Sequence, residues 1–478
     1  MPFRMKHSRP GRYVGLFDQR IEAPGVPLGV KEDKASLSPA EGHCLIDGST
    51  GRGKTRRVIY PSVVLAARSG QSIIVIDPKG EIFKNTADEI RKCGLDIRVL
   101  NLRNPMYGDR WSPLALVEKN WKSGNKAVAA TLLKDVADII TQKISYSKDA
   151  YWHEAAMDTF LGFSLLCLEH EKRLTFDNVF SLVNEFLADK DSRNEFKENL
   201  NMDADSYRKI CTLANLESDT TASCIVSELS CMVSSFADRE DVRDLLAESD
   251  YDVSEIGRRP TAFFVIIPDE STALHPIAGL FISQTYSELV RYADSREDNR
   301  LPVGVTYIID EFGSIPGTGW PEKLTAGRSR GIRFVLAIQT IDQLAFRFGE
   351  HGSKTILSNC RTVIFLGGQD IWMINLLSSF SPTLTFRDMV SLKKGDIVVM
   401  NDGEVFKSYL PDWEAWGVRI RTELYFAKRE ALKRDVLHLS DFCEEMFTLA
   451  DFKKLLEMKN KIKGESSQED DLSEDLPF

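Results

Sequence analysis

The sequence predicts an α/β fold whose parallel sheet is interrupted along the chain by a long all-α insertion. Short apolar runs typical of buried parallel strands alternate with helical segments, as in residues 72–77 followed by 82–93. By contrast, residues 117–251 contain no proline and only two glycines, and their apolar residues recur at helical spacing. The 478 residues, 43% of them hydrophobic, can form two or three domains.

The predicted strands lie on both sides of this helical interval. They cover residues 44–46, 72–77, 97–100, 261–267, 303–309, 333–338 and 362–366. Residues 395–399 and 405–409 add a terminal hairpin that closes at Asp402-Gly403, a pair that favours a tight turn. The sheet is therefore encoded in two pieces of sequence.

A phosphate-binding pattern follows the first of these strands. The residues Gly48-Ser49-Thr50-Gly51-Arg52-Gly53-Lys54-Thr55 match G-x-x-x-x-G-K-[ST] at every fixed position, and a helical pattern follows them. The glycines let the backbone N–H groups point at phosphate oxygens, while Lys54 neutralises the β- and γ-phosphates and Thr55 offers a hydroxyl to Mg²⁺. A glycine-rich turn with a chance lysine explains this full match poorly. The sequence predicts a site for a nucleoside triphosphate.

A second motif supplies the carboxylates that such a site needs. The apolar run 305–309 ends in Asp310-Glu311, the Walker B arrangement. We expect Asp310 to hold Mg²⁺ and Glu311 to orient or deprotonate the attacking water. Alone, the pair would be an ordinary strand ending in acidic residues. With a complete P-loop it predicts a RecA-like P-loop domain of the additional-strand type.

Two further features are candidates for the same chemistry. Gln339 ends the strand at 333–338, where it would either sense the γ-phosphate or simply cap the strand. Before that strand, Arg328, Arg330 and Arg333 lie within six positions. They are either solvent-facing charge or, in a ring-shaped assembly, the source of an arginine finger that reaches a neighbour's nucleotide.

The segment Asp77-Pro78-Lys79-Gly80-Glu81 ends another central strand. It is either a plain turn or a support for Mg²⁺ or for a subunit interface. We expect its strand to neighbour the P-loop strand in the sheet.

Several separated segments occur in a consistent order over roughly residues 40–415. They are residues 54–61 (KTRRVIYP), 75–81 (VIDPKGE), 151–156 (YWHEAA), Arg259-Pro260-Thr261, Asp310-Glu311-Phe312, Gly327-Arg328 through Gln339, and Gln343-Leu344. Together they resemble the TraG/TraD-type coupling proteins of conjugation and type IV secretion, relatives of the FtsK/HerA DNA translocases.

The resemblance implies a hexameric, DNA-stimulated ATPase that uses ATP and Mg²⁺ to pump DNA, or a relaxase–DNA cargo, toward a secretion channel. Lys54 and Thr55 would bind phosphate and Mg²⁺, Asp310 and Glu311 would form the Walker B pair, and Gln339 would be the sensor. Arg328 would be the finger, with Arg330 as the fallback. The all-α domain would face the relaxosome or the cargo.

We divide the chain accordingly. The predicted parts are an irregular N-terminal segment (1–42), the nucleotide-binding domain (43–116 and 258–425), the all-α domain (117–257), a C-terminal helical extension (426–464) and a disordered acidic tail (465–478). Six acidic residues and no Lys or Arg occupy that tail, within a formal charge of −10. This balance neither supports nor excludes nucleic acid as a partner.

Composition also bears on location. No stretch approaches the roughly 18 consecutive apolar residues of a membrane span, and the cysteines are scattered without a C-x-x-C pair. We expect a cytoplasmic protein that either is tethered at the inner face of the membrane by a membrane-anchored partner or has a role other than channel coupling. In relatives that have transmembrane helices, the membrane concentrates the subunits. Because this sequence shows no such segment, we also expect the hexamer to be monomeric when dilute and to assemble on DNA or nucleotide.

Two other functions remain open from the sequence. The chain would be an ATP-gated adaptor that recognises cargo with little translocation, or a soluble FtsK-like DNA translocase. Glu311 favours a motor over the adaptor, and the large helical insertion disfavours the FtsK-like alternative. The preference for single- or double-stranded DNA stays undetermined at this level.

Overall fold

A computed structural model describes residues 13–16, 18, 20–141, 150–188, 204–214, 219–417, 428–433 and 436–443. The chain forms two compact units. The first comprises Met1–Pro113 and Asp244–Ala431, and the second Leu114–Arg243 and Leu432–Phe478.

Twelve strands are found among the described residues, and they form two sheets. A small antiparallel sheet has the order β1-β3-β2, and a nine-stranded sheet has the order β12-β11-β10-β4-β9-β8-β5-β7-β6. The strands are β1 Tyr13–Gly15, β2 Pro27–Lys31, β3 Lys34–Leu37, β4 His43–Asp47, β5 Ser72–Asp77, β6 Asp96–Asn101, β7 Thr261–Ile266, β8 Val305–Ile309, β9 Ile332–Ile338, β10 Cys360–Phe365, β11 Asp396–Asn401 and β12 Glu404–Tyr409.

The helices of the first unit cover the large sheet or follow its strands. They are α1 Tyr60–Arg68, α2 Glu81–Lys92, α10 His275–Asp294, α11 Trp320–Gly327, α12 Ile341–Asn359, α13 Ile371–Phe380 and α14 Phe386–Val390. The second unit contains α3 Ala115–Lys122, α4 Lys126–Thr141, α5 Ala150–Glu169, α6 Phe176–Ala188, α7 Asp205–Ala214, α8 Asp219–Ala237 and the short α15 Ser440–Cys443. Helix α9, Glu240–Leu246, crosses the boundary between the two units.

The large sheet confirms the predicted fold class. Seven neighbouring strands, in the spatial order β10-β4-β9-β8-β5-β7-β6, are parallel to one another. The β11–β12 hairpin extends the sheet beyond β10 in antiparallel pairing. Strand β9 lies between the P-loop strand β4 and the Walker B strand β8, which is the additional-strand arrangement. The expectation that β5 neighbours the P-loop strand is wrong, because β5 pairs with β7 and β8. Buried apolar runs identify central strands but do not order them.

The sheet is buried on both faces, which explains why its strands are nearly continuous apolar runs. On one face, Ile73 and Val75 of β5 join a core cluster with Val63 of α1. On the other face aromatic rings fill the space beneath α10 and α11. The ring pairs are Phe263–Phe281 at 4.5 Å, Trp111–Phe281 at 5.0 Å, Tyr307–Phe334 at 4.9 Å and Trp320–Phe334 at 5.9 Å between centroids.

The prediction of an irregular segment over 1–42 is wrong for residues 13–42, which contain the three-stranded sheet. Pro27 is the first residue of β2, a position that tolerates proline in a strand. The β2–β3 turn places Glu32 and Asp33 at φ 49° and 58°, without the Asn-Gly or Asp-Gly pair that signals such a turn. Residues 1–12 lie outside the described part of the chain.

The first piece of the compact helical unit ends at Arg243, before the predicted boundary at 257. Hydrogen bonds explain why the following residues group with the sheet. The Arg110 guanidinium contacts the Asp244 carboxylate at 3.3 Å, Trp111 N–H donates to Leu245 O at 2.9 Å, and Ser72 Oγ donates to Ile256 O at 2.6 Å. Such contacts between residues distant in sequence carry no periodic signal.

The helical unit has its own aromatic core. Phe176 stacks on Phe160 at 5.9 Å and contacts Phe236 at 5.5 Å, while Phe163 meets Phe186 edge-on. Of the predicted extension over 426–464, only 428–433 and 436–443 are described, and the acidic tail 465–478 lies outside the described residues. Among the described helices, none combines the length and apolarity needed to cross a membrane.

Helix α10 supports the loop that follows the Walker B strand. A Cβ added at Gly279 would come within 2.3 Å of Pro316 O, a backbone atom that cannot rotate away. We therefore expect Gly279→Ala to lower the unfolding free energy of this unit by about 1–3 kcal/mol, as overpacking does. Urea unfolding followed by tryptophan fluorescence measures the change.

Gly327→Ala is the matched control, since its added Cβ would meet Ile332 Cβ at an ordinary 3.4 Å and Gly327 already has helical φ and ψ. Equal stability of the Gly279→Ala variant and the wild type would show that this contact does not constrain α10.

Candidate nucleotide-binding site

The P-loop and the Walker B carboxylates meet at the carboxyl edge of the parallel sheet. A cleft of about 340 Å³ opens there. Five of the residues predicted from the two motifs and the sensor strand line it: Thr50, Thr55, Asp310, Glu311 and Gln339. The cleft is also lined by Asp77, Pro78, Lys79 and Glu81, and by Asp269, Thr272, His275 and Ser314, which the motifs did not reveal.

The loop itself has the backbone that its glycines were expected to allow. Gly51 and Gly53 adopt φ of 80° and 97°, in the left-handed region that favours glycine. Residues Lys54–Ile59 then form a π-helical turn, which ends where Tyr60 N–H donates to Thr55 O and α1 begins. Pro61, which lacks an N–H, lies in the first turn of α1, where proline is tolerated.

Lys54, near the end of the P-loop, is buried. Its Nζ donates to Gly48 O at 2.6 Å, so the ammonium group lies at the centre of the P-loop curl. The loop is fixed from outside as well. Ser49 N–H donates to Gly367 O at 3.3 Å, and Arg52 Nη1 donates to Leu392 O at 3.0 Å.

Thr55 and Asp310 are joined directly, since Thr55 Oγ1 donates to Asp310 Oδ2 at 3.0 Å. Burial, and then the neighbouring Glu311, raise the pKa of Asp310 to about 6, although Lys54 and the Thr55 hydrogen bond favour the charged form. A buried carboxylate beside a hydroxyl is an all-oxygen donor set of the kind that Mg²⁺ prefers. These two side chains fit the predicted metal site.

Glu311 is held by the predicted sensor. Gln339 Nε2 lies 3.1 Å from Oε1 and 2.9 Å from Oε2 of Glu311. The backbone of Glu311 adopts φ 54°, which is uncommon for a residue other than glycine and is found at functional turns. Gln339 N–H in turn donates to Gln343 Oε1 of α12 at 3.1 Å. Gln339 therefore links the Walker B loop, through Glu311, to the start of α12.

The three arginines have separate environments. Arg333 is buried and donates to Gly42 O at 2.9 Å and to Ser38 Oγ at 2.7 Å, with its pKa lowered to about 10 by burial. Arg330 forms an ion pair with Asp294 at 2.7 Å. Arg328 is exposed, and it precedes the amino end of β9. At about 3.3 Å per residue, β9 separates it by roughly 20 Å from Gln339 at the carboxyl end. Arg328 is therefore remote from its own chain's cleft.

Other polar groups complete the edge of the sheet. Asp77 Oδ2 accepts from Phe83 N–H at 2.8 Å, and burial raises its pKa to about 6. Asp269 pairs with Arg103 at 2.6 Å. His275 lies between two carbonyl oxygens, with Nε2 3.0 Å from Pro268 O and Nδ1 3.3 Å from Ser314 O. Asp269 and His275 follow β7, so the rule that parallel strands end at one edge could have identified them.

The last residue of the P-loop strand, Asp47, is also a buried acid. Burial and the neighbouring Asp370 raise its pKa to about 9. Asp370 accepts Ile341 N–H at 2.7 Å and Met373 N–H at 2.9 Å, which cap α12 and α13. Asp47 is thus neutral near pH 7 and belongs to the support of the P-loop.

Comparison with known proteins identifies the family. The family described as "Type IV secretory system Conjugative DNA transfer" matches residues 16–379. The chain belongs to this family. The predicted resemblance is therefore confirmed, and family membership gives the protein a role in conjugative DNA transfer by type IV secretion. No curated protein matches the sequence significantly.

Solved coupling proteins share the fold. The conjugative coupling protein TrwBdeltaN70, in its unbound monoclinic form, has 15% identity and a TM-score of 0.56, with 88% of this chain and 96% of that chain covered. TrwB in complex with the non-hydrolysable ATP analogue ADPNP has 14% identity and a TM-score of 0.55, with 90% and 97% covered. TrwB with ADP and Mg²⁺ has 15% identity and a TM-score of 0.53, with 81% and 87% covered. At these identities the likeness shows the fold.

The environment of Asp310 makes a testable trade between stability and metal binding. Because its pKa is raised from 3.8 to about 6, the folded protein without Mg²⁺ binds a proton more tightly than the unfolded chain does. The contribution of Asp310 to stability is therefore greatest below pH 4 and falls as pH rises through 6. At pH 8, Asp310→Asn should stabilise the protein without Mg²⁺ by about 1–3 kcal/mol and weaken its binding of Mg²⁺–nucleotide.

Chemical denaturation at pH 5 and pH 8 in EDTA measures the first effect, and titration with a fluorescent nucleotide the second. The exposed Asp298→Asn serves as the control. If Asp310→Asn destabilises the metal-free protein at pH 8, the carboxylate contributes more through its hydrogen bonds than burial takes away.

Proposed function

We propose that this chain is an ATPase that uses ATP and Mg²⁺ to move DNA, or a relaxase–DNA cargo, to a type IV secretion channel. The observation that carries the proposal is that the Thr55–Asp310 pair and the Gln339-held Glu311 line one cleft. Lys54, whose ammonium group contacts Gly48 O, directly precedes Thr55 in the P-loop. TrwB, which shares the fold, is known in complex with ADPNP and with ADP and Mg²⁺. Family membership supports DNA as the transported molecule.

The binding step rests on the P-loop. The backbone N–H groups of Gly48–Thr55 bind the phosphates. Lys54 leaves Gly48 O to pair with the β- and γ-phosphates. Thr55 and Asp310 hold Mg²⁺ between them. When bound, Mg²⁺ neutralises charge that develops on the phosphate oxygens.

The hydrolytic step rests on Glu311. Its carboxylate orients the attacking water and accepts a proton from it, a role that contributes about 10²–10⁴-fold to a rate. Gln339 fixes the carboxylate before nucleotide arrives, since its amide contacts both carboxylate oxygens. With ATP bound, Gln339 exchanges this contact for one to the γ-phosphate, and this exchange reports the state of the nucleotide along β9.

The transition state is also stabilised by an arginine finger in many ATPases of this kind, and no arginine is among the described residues that line this chain's own cleft. Arg328 is exposed, and it forms no ion pair with any described residue, whereas Arg330 and Arg333 are engaged in contacts of their own. In a hexameric ring, Arg328 of one subunit reaches the nucleotide of the next. The channel, the relaxosome and a membrane-anchored partner are the other components of this assembly, with the all-α unit directed toward the cargo.

The alternative is an ATP-gated adaptor that recognises cargo without translocating it. The contact between Glu311 and Gln339 favours the motor, because a switch that only binds nucleotide has no need for a positioned catalytic carboxylate. Measured ATP turnover, with and without single- and double-stranded DNA, separates the two. DNA should raise the turnover of a motor.

Two substitutions separate nucleotide binding from hydrolysis. Lys54→Ala should abolish binding, because Lys54 is the P-loop cation whose charged group contacts Gly48 O, whereas Arg52 of the same loop donates to Leu392 O. Glu311→Gln should leave binding intact and lower turnover by about 10²–10⁴-fold, since the Mg²⁺ ligands remain while the base is lost. Fluorescent nucleotide titration and phosphate release measure the two quantities.

The exposed Glu297→Gln, with the same change of charge outside the cleft, should behave as the wild type. Near-native turnover of Glu311→Gln would remove Glu311 from the catalytic role.

Arg328 is tested by mixing subunits. Arg328→Ala and Glu311→Gln should each be inactive alone, because an arginine finger contributes about 10³–10⁵-fold. In a mixed ring, some interfaces pair a native Arg328 with a native Glu311, so activity should partly return. Arg330→Ala in the same assay tests the fallback candidate.

The mixing must be shown independently, by energy transfer between labelled subunits. Rings that mix without any recovery of turnover would contradict action on the neighbouring subunit.

A further inference from the structure

The segment between β10 and β11, residues 366–395, leaves the sheet beside the P-loop and is held by it at both ends. Strand β10 is parallel to β4, so both strands end at the same edge. At the start of the segment, Gly367 O accepts from Ser49 N–H at 3.3 Å. Near its end, Leu392 O accepts from Arg52 Nη1 at 3.0 Å. The position of this segment is therefore tied to the position of the P-loop.

Its two helices expose large apolar side chains. Trp372 and Phe380 are eight positions apart on α13, close to one helix face, and Phe386 and Val390 are four apart on α14. Between 43% and 54% of the area of each is exposed. The opposite sides of the helices are buried through Met373, Ile374, Leu377 and Met389. The exposed residues are thus additional to those that pack the segment.

Three cations accompany these side chains. Arg387, Lys393 and Lys394 are exposed, and none of them forms an ion pair within the described part of the chain. The nearby acids are already engaged. Asp388 forms the capping box of α14 with Thr385, and Asp396 pairs with Lys407 at 2.9 Å. Three exposed cations without ion-pair partners among the described residues therefore lie on the segment that carries the exposed rings.

We propose that this aromatic–basic surface binds single-stranded DNA. We define it as Trp372, Phe380, Phe386, Arg387, Lys393 and Lys394. Exposed aromatic rings stack on unpaired bases, and flexible cations beside them track the phosphates. Bases in a duplex are already stacked on one another, so the rings favour a single strand. The assignment rests on the proposed function and deepens it, since it names the strand state of the DNA and where it is held.

The composition of the surface distinguishes DNA from a second copy of this chain. Protein interfaces concentrate aromatic residues but exclude lysine from their cores. Here two exposed lysines follow the aromatic helices directly, and Asp388 is the one exposed acid among the described residues of the segment. Five of the six residues also lie beyond residue 379, where the match to the family ends, so the family match does not cover most of the surface.

The link to the P-loop gives the surface a role in the motor. Residues 49 and 52 contact both ends of the segment, so a change of the P-loop on binding nucleotide alters the position of the rings. DNA and nucleotide affinities are then coupled, and the coupling factor is the same in both directions.

The first test compares a fluorescein-labelled oligothymidylate with a duplex of equal length by anisotropy. Trp372→Ala and Phe386→Ala should each weaken binding of the oligothymidylate by about fivefold to 150-fold, the range found for loss of a stacked base. Binding of the duplex should change less. Phe346→Ala is the control, because that phenylalanine is 87% exposed on α12, outside the surface. Wild-type affinity for the nucleotide shows that each variant is folded.

The second test uses salt. Removing two phosphate contacts from a single strand should reduce the slope of log K against log salt by about 1.4. Lys393→Gln with Lys394→Gln should show this reduction, and Lys354→Gln on α12 should not. Adding a non-hydrolysable ATP analogue should change the oligothymidylate affinity of the wild type, and the DNA should change the affinity for the analogue by the same factor.

Three results would overturn the assignment. These are unchanged oligothymidylate affinity in both aromatic variants, an equal loss of affinity for duplex and single strand, or a loss of self-association without any loss of DNA affinity, which would make the surface a subunit interface. They are distinguishable from failure of the proposed function. In that case the wild type itself would neither hydrolyse ATP nor respond to DNA.

Discussion

The hydrogen bond from Thr55 Oγ1 to Asp310 Oδ2 joins residues 255 positions apart and spans the strand that lies between β4 and β8. It forms because parallel strands deliver their carboxyl ends to one edge, and because α1 starts beside that edge. The sensor Gln339 ends the intervening strand, so it meets Glu311 in the same place. The helical insertion separates these residues in sequence without disturbing the edge, since both pieces of the first unit pair within one sheet.

The site contains three buried acids whose charged forms are disfavoured by burial. Burial raises the pKa of Asp77 and Asp310 to about 6 and that of Asp47 to about 9. Asp77 is compensated by backbone N–H groups, and Asp47 by remaining protonated. Asp310 has only Thr55 and the adjacent Glu311 N–H as hydrogen-bond partners among the described residues. Under the proposed function, a bound Mg²⁺ would complete its environment, and stability without Mg²⁺ would be given up at this position.

Much of this could be predicted from the sequence, and the limits have physical causes. Strands such as 72–77 are apolar throughout because both faces of the sheet are covered, so their existence was evident. Their order was not, since pairing of β5 with β8 depends on contacts rather than on local pattern. The small N-terminal sheet was missed because Pro24, Pro27 and several glycines lie in or beside its short strands, and such residues favour irregular structure. His275 was missed because it belongs to no motif and its ring nitrogens contact backbone carbonyl oxygens, which carry no sequence signal. The P-loop and Walker B positions were found because phosphate and metal binding restrict both residue type and spacing.

The two edges of the sheet divide the work of the proposed motor. The carboxyl edge holds the cleft and, through Gly367 and Leu392, the aromatic–basic surface. The amino edge carries Arg328, about 20 Å away along β9. In the proposed motor one chain would contact nucleotide and DNA together, while the arginine finger would come from the opposite edge of the sheet in another subunit. Under this arrangement ATP turnover depends on assembly, and a dilute chain would bind ATP without hydrolysing it rapidly. DNA that engages several subunits would supply that assembly where transport is needed.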